Sequence, residues 1–266
     1  MIDALVVPPG KPAHLRDRDP GDKLGLDKAA AAPRIAELLE RLGMLQQRLY
    51  AESTRSVLLL LQGLDASGKD GVVRSVFNGV NPQGCRAVSF KAPTPTELAH
   101  DYLWRIHAAL PARGEIGIFN RSHYEDVVTV RINELEPEKV WRRRPHHIRE
   151  WERMLSDEGT TMVKVFLNVS KEKQRERLQE RIDNPEKRWK FRADDLSARR
   201  HFDDYLKAYD EVLTETSTDW SPWHIVPADH NWLKALAVAQ LLVTTLEKMD
   251  PQLPPPDPAL DGTVVD

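Results

Sequence analysis

Residues 57–69 read VLLLLQGLDASGK, and the organisation of the whole chain follows from them. Residues 57–61 form an apolar run with the length and character of a strand that is buried on both faces. A loop with glycines at positions 63 and 68 follows the apolar run and extends to Lys69. Apolar residues at helical spacing come next, namely Val72, Val73, Val76 and Phe77. A strand, such a loop and then a helix is the context that a phosphate-binding P-loop requires, so we predict one here.

The predicted P-loop explains why these residue types stand together. Glycines let the backbone curl so that successive N–H groups point inward, and the N-terminus of the following helix adds a positive dipole. The head group of Lys69 would reach the same phosphates. A chance match in an ordinary loop is the alternative, but it would not come with this strand and this helix. The residues predicted to bind phosphate here are Gly63, Ala66, Ser67, Gly68, Lys69 and Asp70.

One position departs from an ordinary P-loop. The residue after the lysine is normally Ser or Thr, whose hydroxyl binds Mg²⁺, and here it is Asp70. A second carboxylate, Asp65, lies inside the loop, where phosphates would repel it unless a cation intervened. We therefore expect Asp65 to hold Mg²⁺, or Mn²⁺ in its place, and we regard the loop as a variant.

Composition and charge limit the classes of function. The 266 residues suit one large α/β domain or two small ones, and 41% hydrophobic with 30% charged residues describes a soluble globular protein. A net charge of −3 gives no general attraction to nucleic acid or membranes, so a polyanion site must be a local basic patch. The one cysteine, Cys85, excludes an internal disulfide. Without a signal peptide or an apolar run of about 20 residues, we expect a cytoplasmic protein with no membrane or nucleic-acid partner.

Further strands and helices alternate along the chain. This order predicts an α/β fold of the P-loop kinase-like type: a three-layer sandwich with a five-stranded, mainly parallel sheet, helices on both faces and a helical lid. The predicted strands are 57–61, 87–90, 116–119, 162–169 and 223–226, and single helices are expected over 138–158 and 194–217. We divide the chain into an extended arm (1–28), a catalytic domain (29–249) and a proline-rich tail (250–266) that is expected to be disordered.

Ligands bind beyond the carboxyl ends of parallel strands, and a polar cluster follows the third predicted strand. Asn120 and Arg121 come directly after it, and Glu125 follows one helical turn later. We predict that Arg121 contacts phosphate and that Glu125 helps Asp65 to hold the metal, because Asn120 lacks a charge. The alternative is that Arg121 and Glu125 pair at i,i+4 on the helix surface.

A basic segment lies after the fourth predicted strand. Residues 171–192 contain nine Lys or Arg and five acids in a chain that is negative overall. Its position matches the mobile lid of phosphoryl-transfer kinases, so we predict a lid over about 171–193; a solvated charged face is the alternative. The stretch 141–149 is also basic, and a polyanion channel and a surface helix are both consistent with it. The lid residues predicted to bind phosphate are Arg177, Arg181, Arg188 and Lys190.

Together these motifs resemble the second polyphosphate kinase family, whose members transfer phosphoryl groups between inorganic polyphosphate and nucleotides. The matching stretches are 62–71 (QGLDASGKDG), 79–84 (GVNPQG), 89–94 (SFKAPT), 119–127 (FNRSHYEDV) and 185–190 (PEKRWK). The resemblance covers about 27–248. It implies Mg²⁺-dependent, reversible transfer from polyphosphate to nucleoside mono- and diphosphates, converting AMP to ADP and ADP to ATP. It also implies a homo-oligomer, either a dimer or a tetramer.

The resemblance extends to individual residues. Many family members have Asp where Asn120 stands and Asn where Glu125 stands. The combination in this chain is similar to the subgroup that accepts both nucleoside mono- and diphosphates, so Glu125 is expected to govern nucleotide selectivity. The family's catalytic positions fall on Asp65, Lys69, Arg121 and Arg181.

A polyphosphate donor carries negative charge on every phosphate, so it needs a longer cationic track than ATP does. The lid would supply part of that track. Outside the lid, the residues expected to contribute are Arg74, Lys91 and Arg121.

Two other functions remain open on the residues alone. An ordinary ATP-dependent nucleotide kinase shares the fold, the P-loop and the lid, but would be expected to carry Ser or Thr at position 70. A non-catalytic polyanion- or RNA-binding module would explain the basic segment but not a P-loop with Asp65. The sequence does not fix the preferred base, the use of other purine nucleotides, the polyphosphate length or the physiological direction.

Overall fold

The computed structural model describes residues 2–264, and within them five strands form a single sheet. The strands are β1 (Ser56–Gln62), β2 (Cys85–Ser89), β3 (Ile116–Asn120), β4 (Thr160–Asn168) and β5 (Trp223–Pro227). Their order across the sheet is β2–β3–β1–β4–β5, and every neighbouring pair is parallel. The predicted α/β class and five-stranded parallel sheet are confirmed.

Helices connect successive strands and cover both faces of the sheet, as crossover connections between parallel strands require. In the described chain they are α1 (Lys28–Glu52), α2 (Lys69–Val76), α3 (Pro95–Leu98), α4 (Trp104–His107), α5 (Glu125–Ile132), α6 (Glu138–Trp141), α7 (Arg144–Asp157), α8 (Lys171–Asp183), α9 (Ala193–Arg200), α10 (Phe202–Thr216) and α11 (Asn231–Met249). Helices α1 and α11 pack together on one side, and α7 packs on β4.

Strand β1 lies at the centre of the sheet, and all seven of its residues are buried. Because side chains alternate between the faces of a strand, its apolar run supplies two cores at once. Leu59 and Leu61 belong to the larger core, which includes apolar residues of α1 and α11. Leu58 and Leu60 pack instead with Phe119 and neighbouring residues on the other side. The predicted P-loop therefore begins at the end of a central strand that is buried on both faces.

Two predicted long helices are each divided in the structure. The segment 138–158 forms α6 and α7, and Pro145 stands in the first turn of α7, where its missing N–H is not needed. The segment 194–217 forms α9 and α10, which meet at His201. This break lets α10 bury one apolar side, including Tyr209 and Leu213, while α9 approaches the lid. Amphipathic periodicity continues across both breaks, so it did not reveal them.

The segment expected to be an extended arm is tied closely to the sheet. Val6 forms an antiparallel bridge with His224 of β5, and Leu5 and Val7 on either side of it are buried. Arg18 donates hydrogen bonds to four backbone carbonyls of the same segment. Residues 2–27 therefore take part in the fold, and residue 1 lies outside the described residues.

The C-terminal tail begins against the body of the protein. Pro251 is buried, and the Gln252 N–H donates to Glu52 at 3.1 Å. The disorder expected over 250–266 stays a prediction, and residues 265–266 lie outside the described part. No helix between residues 2 and 264 is both long enough and apolar enough to cross a membrane.

Candidate active site

The loop between β1 and α2 has the curled backbone that the sequence predicts. Gly63, Ala66 and Gly68 have φ values of +144°, +61° and +102°. At Gly63 a side chain would be excluded, because a Cβ there would lie 2.7 Å from the Leu167 carbonyl oxygen. We call residues 63–69 the P-loop from here on. Its last residue opens α2, so the positive end of that helix dipole faces the loop.

Lys69 is buried and folded back onto the P-loop. Its Nζ donates to the carbonyl oxygens of Gly63 at 2.6 Å and Leu64 at 3.2 Å. Burial, with a smaller contribution from the charge of Arg121, lowers the pKa of Lys69 to about 8. The ammonium is thus held at the loop by two carbonyls, and among the described residues its third N–H donor is left for a ligand.

The carbonyl side of the P-loop is bound by side chains from two other helices. Gln174 of α8 donates to the Asp65 carbonyl at 3.1 Å. Arg177 of α8 donates to the Ala66 and Ser67 carbonyls at 3.0 and 3.1 Å, and to the Ala228 carbonyl at 2.8 Å. Lys234 of α11 donates to the Ser67 carbonyl at 2.8 Å.

These bonds give Arg177 a structural role that the sequence did not predict. Both terminal nitrogens of its guanidinium are engaged with acceptors of the chain, including the carbonyl oxygen of Asp229 at 3.0 Å and the side chain of Asn231 at 3.1 Å. In the described structure Arg177 supports the P-loop from outside, and its binding to phosphate stays a prediction. A guanidinium binds carbonyls as readily as phosphates, so residue type alone did not distinguish the two.

Three predicted site residues come together beside the P-loop. Arg121 donates from one terminal nitrogen to the Asp65 carboxylate, and its other terminal nitrogen lies 3.5 Å from Glu125. The backbone of Arg121 is left-handed, with φ +64°, at the turn that follows β3. The charges of Glu125 and, less strongly, Asp65 raise the pKa of Arg121. Its guanidinium therefore stays cationic at the carboxyl ends of β1 and β3.

Glu125 is surrounded by donors. Thr129 donates to it at 2.6 Å, and Arg121 approaches the same oxygen. Gln62, with its amide oriented to satisfy both of its polar atoms, donates to the other oxygen at 3.0 Å. The i,i+4 pairing considered from the sequence is present. Among residues 2–264 no three His, Cys, Asp or Glu side chains form a metal cluster, so metal binding by Glu125 stays a prediction.

Asp70 joins the P-loop helix to its surroundings. Asn120 donates to one carboxylate oxygen at 2.6 Å, and the Lys190 ammonium lies 3.8 Å from the other. The lid thus reaches across to the residue that replaces the usual Ser or Thr.

The other predicted lid cations differ in their contacts. Arg181 pairs with Asp195 of α9 at 3.6 Å, and burial raises the pKa of this aspartate. Arg188 donates to the Ile182 carbonyl at 3.1 Å and is otherwise exposed. In the described structure the lid cations rest on protein acceptors, and their binding to phosphate stays a prediction.

Two predicted contributors to the cationic track, Arg74 and Lys91, are exposed. Arg74 is exposed near the end of α2, and Lys91 is exposed just after β2. Within residues 2–264 neither side chain has a hydrogen bond or an ion pair.

The basic stretch 141–149 is used largely for internal contacts. Arg142 pairs with Glu138 at 2.5 Å and lies over the Trp141 ring. Arg144 donates to the Asp126 carbonyl at 2.5 Å and lies 4.7 Å from the Tyr102 ring centre. These contacts favour the surface-helix interpretation over a polyanion channel.

Some residues of this site were missed by sequence reasoning. Gln174 and Asp195 stand among many charged residues, with nothing to single them out. Lys234 did carry a signal, because it interrupts the apolar sequence of α11 at a position where helical periodicity predicts burial. Lysines are rarely fully buried unless they are paired, so Lys234 could have been named from the sequence as a candidate functional residue.

Known proteins similar to this chain share its sequence and its fold. A family model described as Polyphosphate kinase 2 (PPK2) matches residues 25–254. AMP/ADP-polyphosphate phosphotransferase of Meiothermus ruber is 52% identical over 263 residues, which is 98% of each chain. ADP-polyphosphate phosphotransferase of Rhodopseudomonas palustris is 48% identical over 83% of this chain and 81% of its own. The crystal structure of polyphosphate kinase 2 from Arthrobacter aurescens TC1 superposes with a TM-score of 0.92 at 40% identity, covering 96% of this chain and 92% of that one.

Proposed function

Because the chain belongs to the polyphosphate kinase 2 family, we propose that it transfers phosphoryl groups from inorganic polyphosphate to AMP and ADP, giving ADP and ATP. Similarity to an AMP/ADP-polyphosphate phosphotransferase over nearly the whole of both chains supports this assignment. The structural observation that carries it is the contact of Arg121 with Asp65 and Glu125 beside a P-loop. The reaction is proposed to be reversible and open to other purine nucleotides.

Phosphoryl transfer needs little covalent chemistry from a protein. It needs in-line positioning and cationic groups on the oxygens where charge develops. We propose that P-loop N–H groups and Lys69 hold phosphate oxygens, and that Arg121 and Arg181 meet the transferring group. Arg74, Lys91, Arg188 and Lys190 would extend the cationic track along the polyphosphate chain.

The donor set fits a divalent metal at Asp65. Mg²⁺ is commonly bound by one or two carboxylates together with water and substrate phosphates, so no all-protein cluster is needed. The Asp65 side chain is 21% exposed, and Arg121 occupies only one of its oxygens. We propose Asp65 as the Mg²⁺ or Mn²⁺ ligand, with Glu125 as a second candidate. Bound there, the ion would neutralise charge on phosphate oxygens.

The remaining properties are proposed on the resemblance and on composition. We propose a cytoplasmic homo-oligomer, a dimer or a tetramer, that acts on polyphosphate and nucleotides and has no membrane or nucleic-acid partner. We also propose that the chain consists of an N-terminal arm (1–28), a catalytic domain (29–249) and a C-terminal tail (250–266).

The test is to incubate the purified protein with AMP, Mg²⁺ and polyphosphate and to measure ADP and ATP. Both products should form only when polyphosphate is present. Lys69→Ala should lower the rate about 100-fold or more, because the loop loses its cation, while the melting temperature stays close to that of the wild type. Lys248→Ala, an exposed position in the last turn of α11, should leave the rate unchanged.

Two results would contradict the proposal. Full-rate ADP formation from AMP with ATP and no polyphosphate would indicate an ordinary nucleotide kinase. Polyphosphate binding with no turnover of either nucleotide would indicate a polyanion-binding module.

A further inference from the structure

Lys234 is a buried lysine that has no ion-pair partner among the described residues. Its side chain lies in the second turn of α11 and is 2% exposed. Its Nζ donates to the Ser67 carbonyl at 2.8 Å, and within the described chain no carboxylate lies at ion-pair distance from it. An ammonium has three N–H donors, and only this acceptor is present.

Lys164, a fully buried lysine of β4, shows the contrast. Lys164 donates to Glu152 at 2.6 Å, to the Thr216 carbonyl at 2.7 Å and to the Tyr124 hydroxyl at 3.1 Å. All three donors and the charge are satisfied there. Burial of a charge without such a partner is costly, so an anion bound in the P-loop would stabilise the charged form of Lys234.

The peptide that Lys234 binds connects it to the P-loop cavity. The Ser67 carbonyl and the Gly68 N–H belong to one planar trans peptide, so they point in opposite directions. Fixing the oxygen on the outside therefore fixes the direction of the N–H on the inside. Among the described residues the Gly68 N–H has no acceptor. The ammonium that polarises its peptide lies so close that a Cβ at Gly68 would be 2.1 Å from Nζ, so a side chain there would displace the end of the lysine.

The same arrangement occurs at the peptide two residues earlier in the loop. Gln174 binds the Asp65 carbonyl, and the Ala66 N–H of that peptide also lacks an acceptor in the described chain. By contrast, the intervening Ser67 N–H is used within the loop, donating to the Leu64 carbonyl at 3.1 Å. External donors thus hold both peptides whose N–H groups remain available for a ligand. Arg177 shares the Ser67 carbonyl with Lys234, at 3.1 Å, and also binds the Ala66 carbonyl, whose peptide has the N–H that is used within the loop.

We propose that Lys234 is a positioning residue for phosphate binding: by holding the Ser67 carbonyl from outside the P-loop, it directs and polarises the Gly68 N–H toward a bound phosphate. This inference rests on the proposed function, since it requires a phosphate in the P-loop. Lys234 does not touch the reacting atoms. It acts through one peptide, and its positive charge is balanced when the phosphate binds.

The test measures binding of inorganic tripolyphosphate by calorimetry and does not depend on turnover. Lys234→Met removes the charge with little change in volume. We expect its dissociation constant for tripolyphosphate to rise about tenfold, which corresponds to losing one charge-assisted hydrogen bond. Lys248→Met removes the same charge from the same helix about 21 Å away, and its affinity should stay within about twofold of the wild type.

A second measurement separates positioning from general stability. In ¹⁵N-glycine-labelled wild-type protein, tripolyphosphate should shift the assigned Gly68 amide resonance downfield, and Lys234→Met should lose most of that shift while remaining folded. If Lys234→Met does not fold, Lys234→Gln, which keeps a donor without the charge, is judged by the same two measurements.

The outcomes are distinct. Wild-type protein that fails to bind tripolyphosphate would overturn the proposed function. Wild-type binding combined with unchanged affinity and an unchanged Gly68 shift in the Lys234 variant would overturn the role of Lys234. Equal weakening by Lys248→Met would also overturn it, because the effect would then be one of net charge.

Discussion

Glu125 could either support the reaction of the monophosphate acceptor or only orient Arg121. The selectivity between AMP and ADP distinguishes these two roles. A nucleoside diphosphate has one more phosphate than a monophosphate, so the terminal phosphates of the two acceptors cannot occupy one position without adjustment. If Glu125 fills that difference through a metal or water, Glu125→Asn should impair AMP phosphorylation far more than ADP phosphorylation. The measurement is the ratio of the two kcat/KM values.

The contacts of Glu125 define the control for this experiment. Thr129→Val removes a donor to the same carboxylate without removing the carboxylate itself, so it should leave the AMP/ADP ratio near that of the wild type. Equal losses for both acceptors in Glu125→Asn would show that Glu125 only orients Arg121, and the selectivity hypothesis would be wrong.

Lys234 also predicts how stability depends on pH. Burial, together with the charges of Arg177 and Lys69 and against that of Asp229, lowers the pKa of Lys234 from 10.5 to about 7. Between these values the unfolded chain binds a proton that the folded chain does not, so this group makes stability rise with pH from about 7 to 10.5. Below pH 7 its destabilising effect is fully present.

Lys234→Met should therefore be more stable than the wild type near pH 6, and its advantage should shrink toward pH 10. Urea unfolding of both proteins across this range measures the difference directly. Lys248→Met should show no such trend. A stability difference that stays constant with pH would mean that Lys234 is not titrating in the folded protein.

For individual residues, the sequence predicted which side chains lie near one another better than it predicted their hydrogen-bond partners. Asp65, Arg121 and Glu125 meet because each is fixed by a strand end or by the loop beside it, and spacing reveals that. The role of Arg177 and that of Lys234 depend on which carbonyls lie within reach, and carbonyl positions are set by tertiary packing.

Helix α8 shows that the predicted lid has a fixed base. Gln174 and Arg177, in its first two turns, are bonded to the P-loop, while Arg181 and the residues after it are not. We therefore expect any motion of the predicted lid to involve residues beyond Arg177, a shorter segment than the 171–193 predicted from charge. Charge composition marks where cations are concentrated, but it does not mark the hinge.

Arg181 is the lid residue for which a kinetic effect is expected. If its guanidinium leaves Asp195 to meet charge in the transition state, Arg181→Ala should lower kcat by about 10³-fold and change nucleotide affinity little. Single-turnover rates and equilibrium binding of ADP separate the two effects. Arg188→Ala serves as the comparison on the same lid, with a smaller expected loss.

A different result would redefine the lid. If Arg181→Ala raised only KM and left kcat unchanged, the lid would be a binding surface and not a contributor to the chemical step.

At the scale of the whole molecule, the alternation of strands and helices was sufficient to predict the class of the fold and the end of the sheet where the candidate site residues meet. Strand order and the breaks at Arg143 and His201 were not predictable from periodicity, because a helix pattern does not record which neighbours it packs against. The burial of the segment 2–27 was not predicted either. Its few apolar residues have no periodicity, yet Leu5 and Val7 are fully buried.

That segment has a consequence for solubility. Strand β5 ends the sheet, and its unpaired backbone groups would be a template for another chain. The Val7 N–H donates to the Trp223 carbonyl at 2.8 Å, and the Ile225 N–H donates to the Leu5 carbonyl at 2.8 Å, so the segment occupies this exposed border. Val7→Pro removes one of these bonds, whereas Val7→Ala keeps the N–H and loses only packing.

Light scattering during gentle heating should therefore detect intermolecular association earlier in Val7→Pro than in Val7→Ala, with amide-I infrared bands reporting new β-structure. Identical behaviour of the two variants would show that packing alone governs the effect. We therefore expect residues 2–7 to protect the edge strand β5 from pairing with other chains.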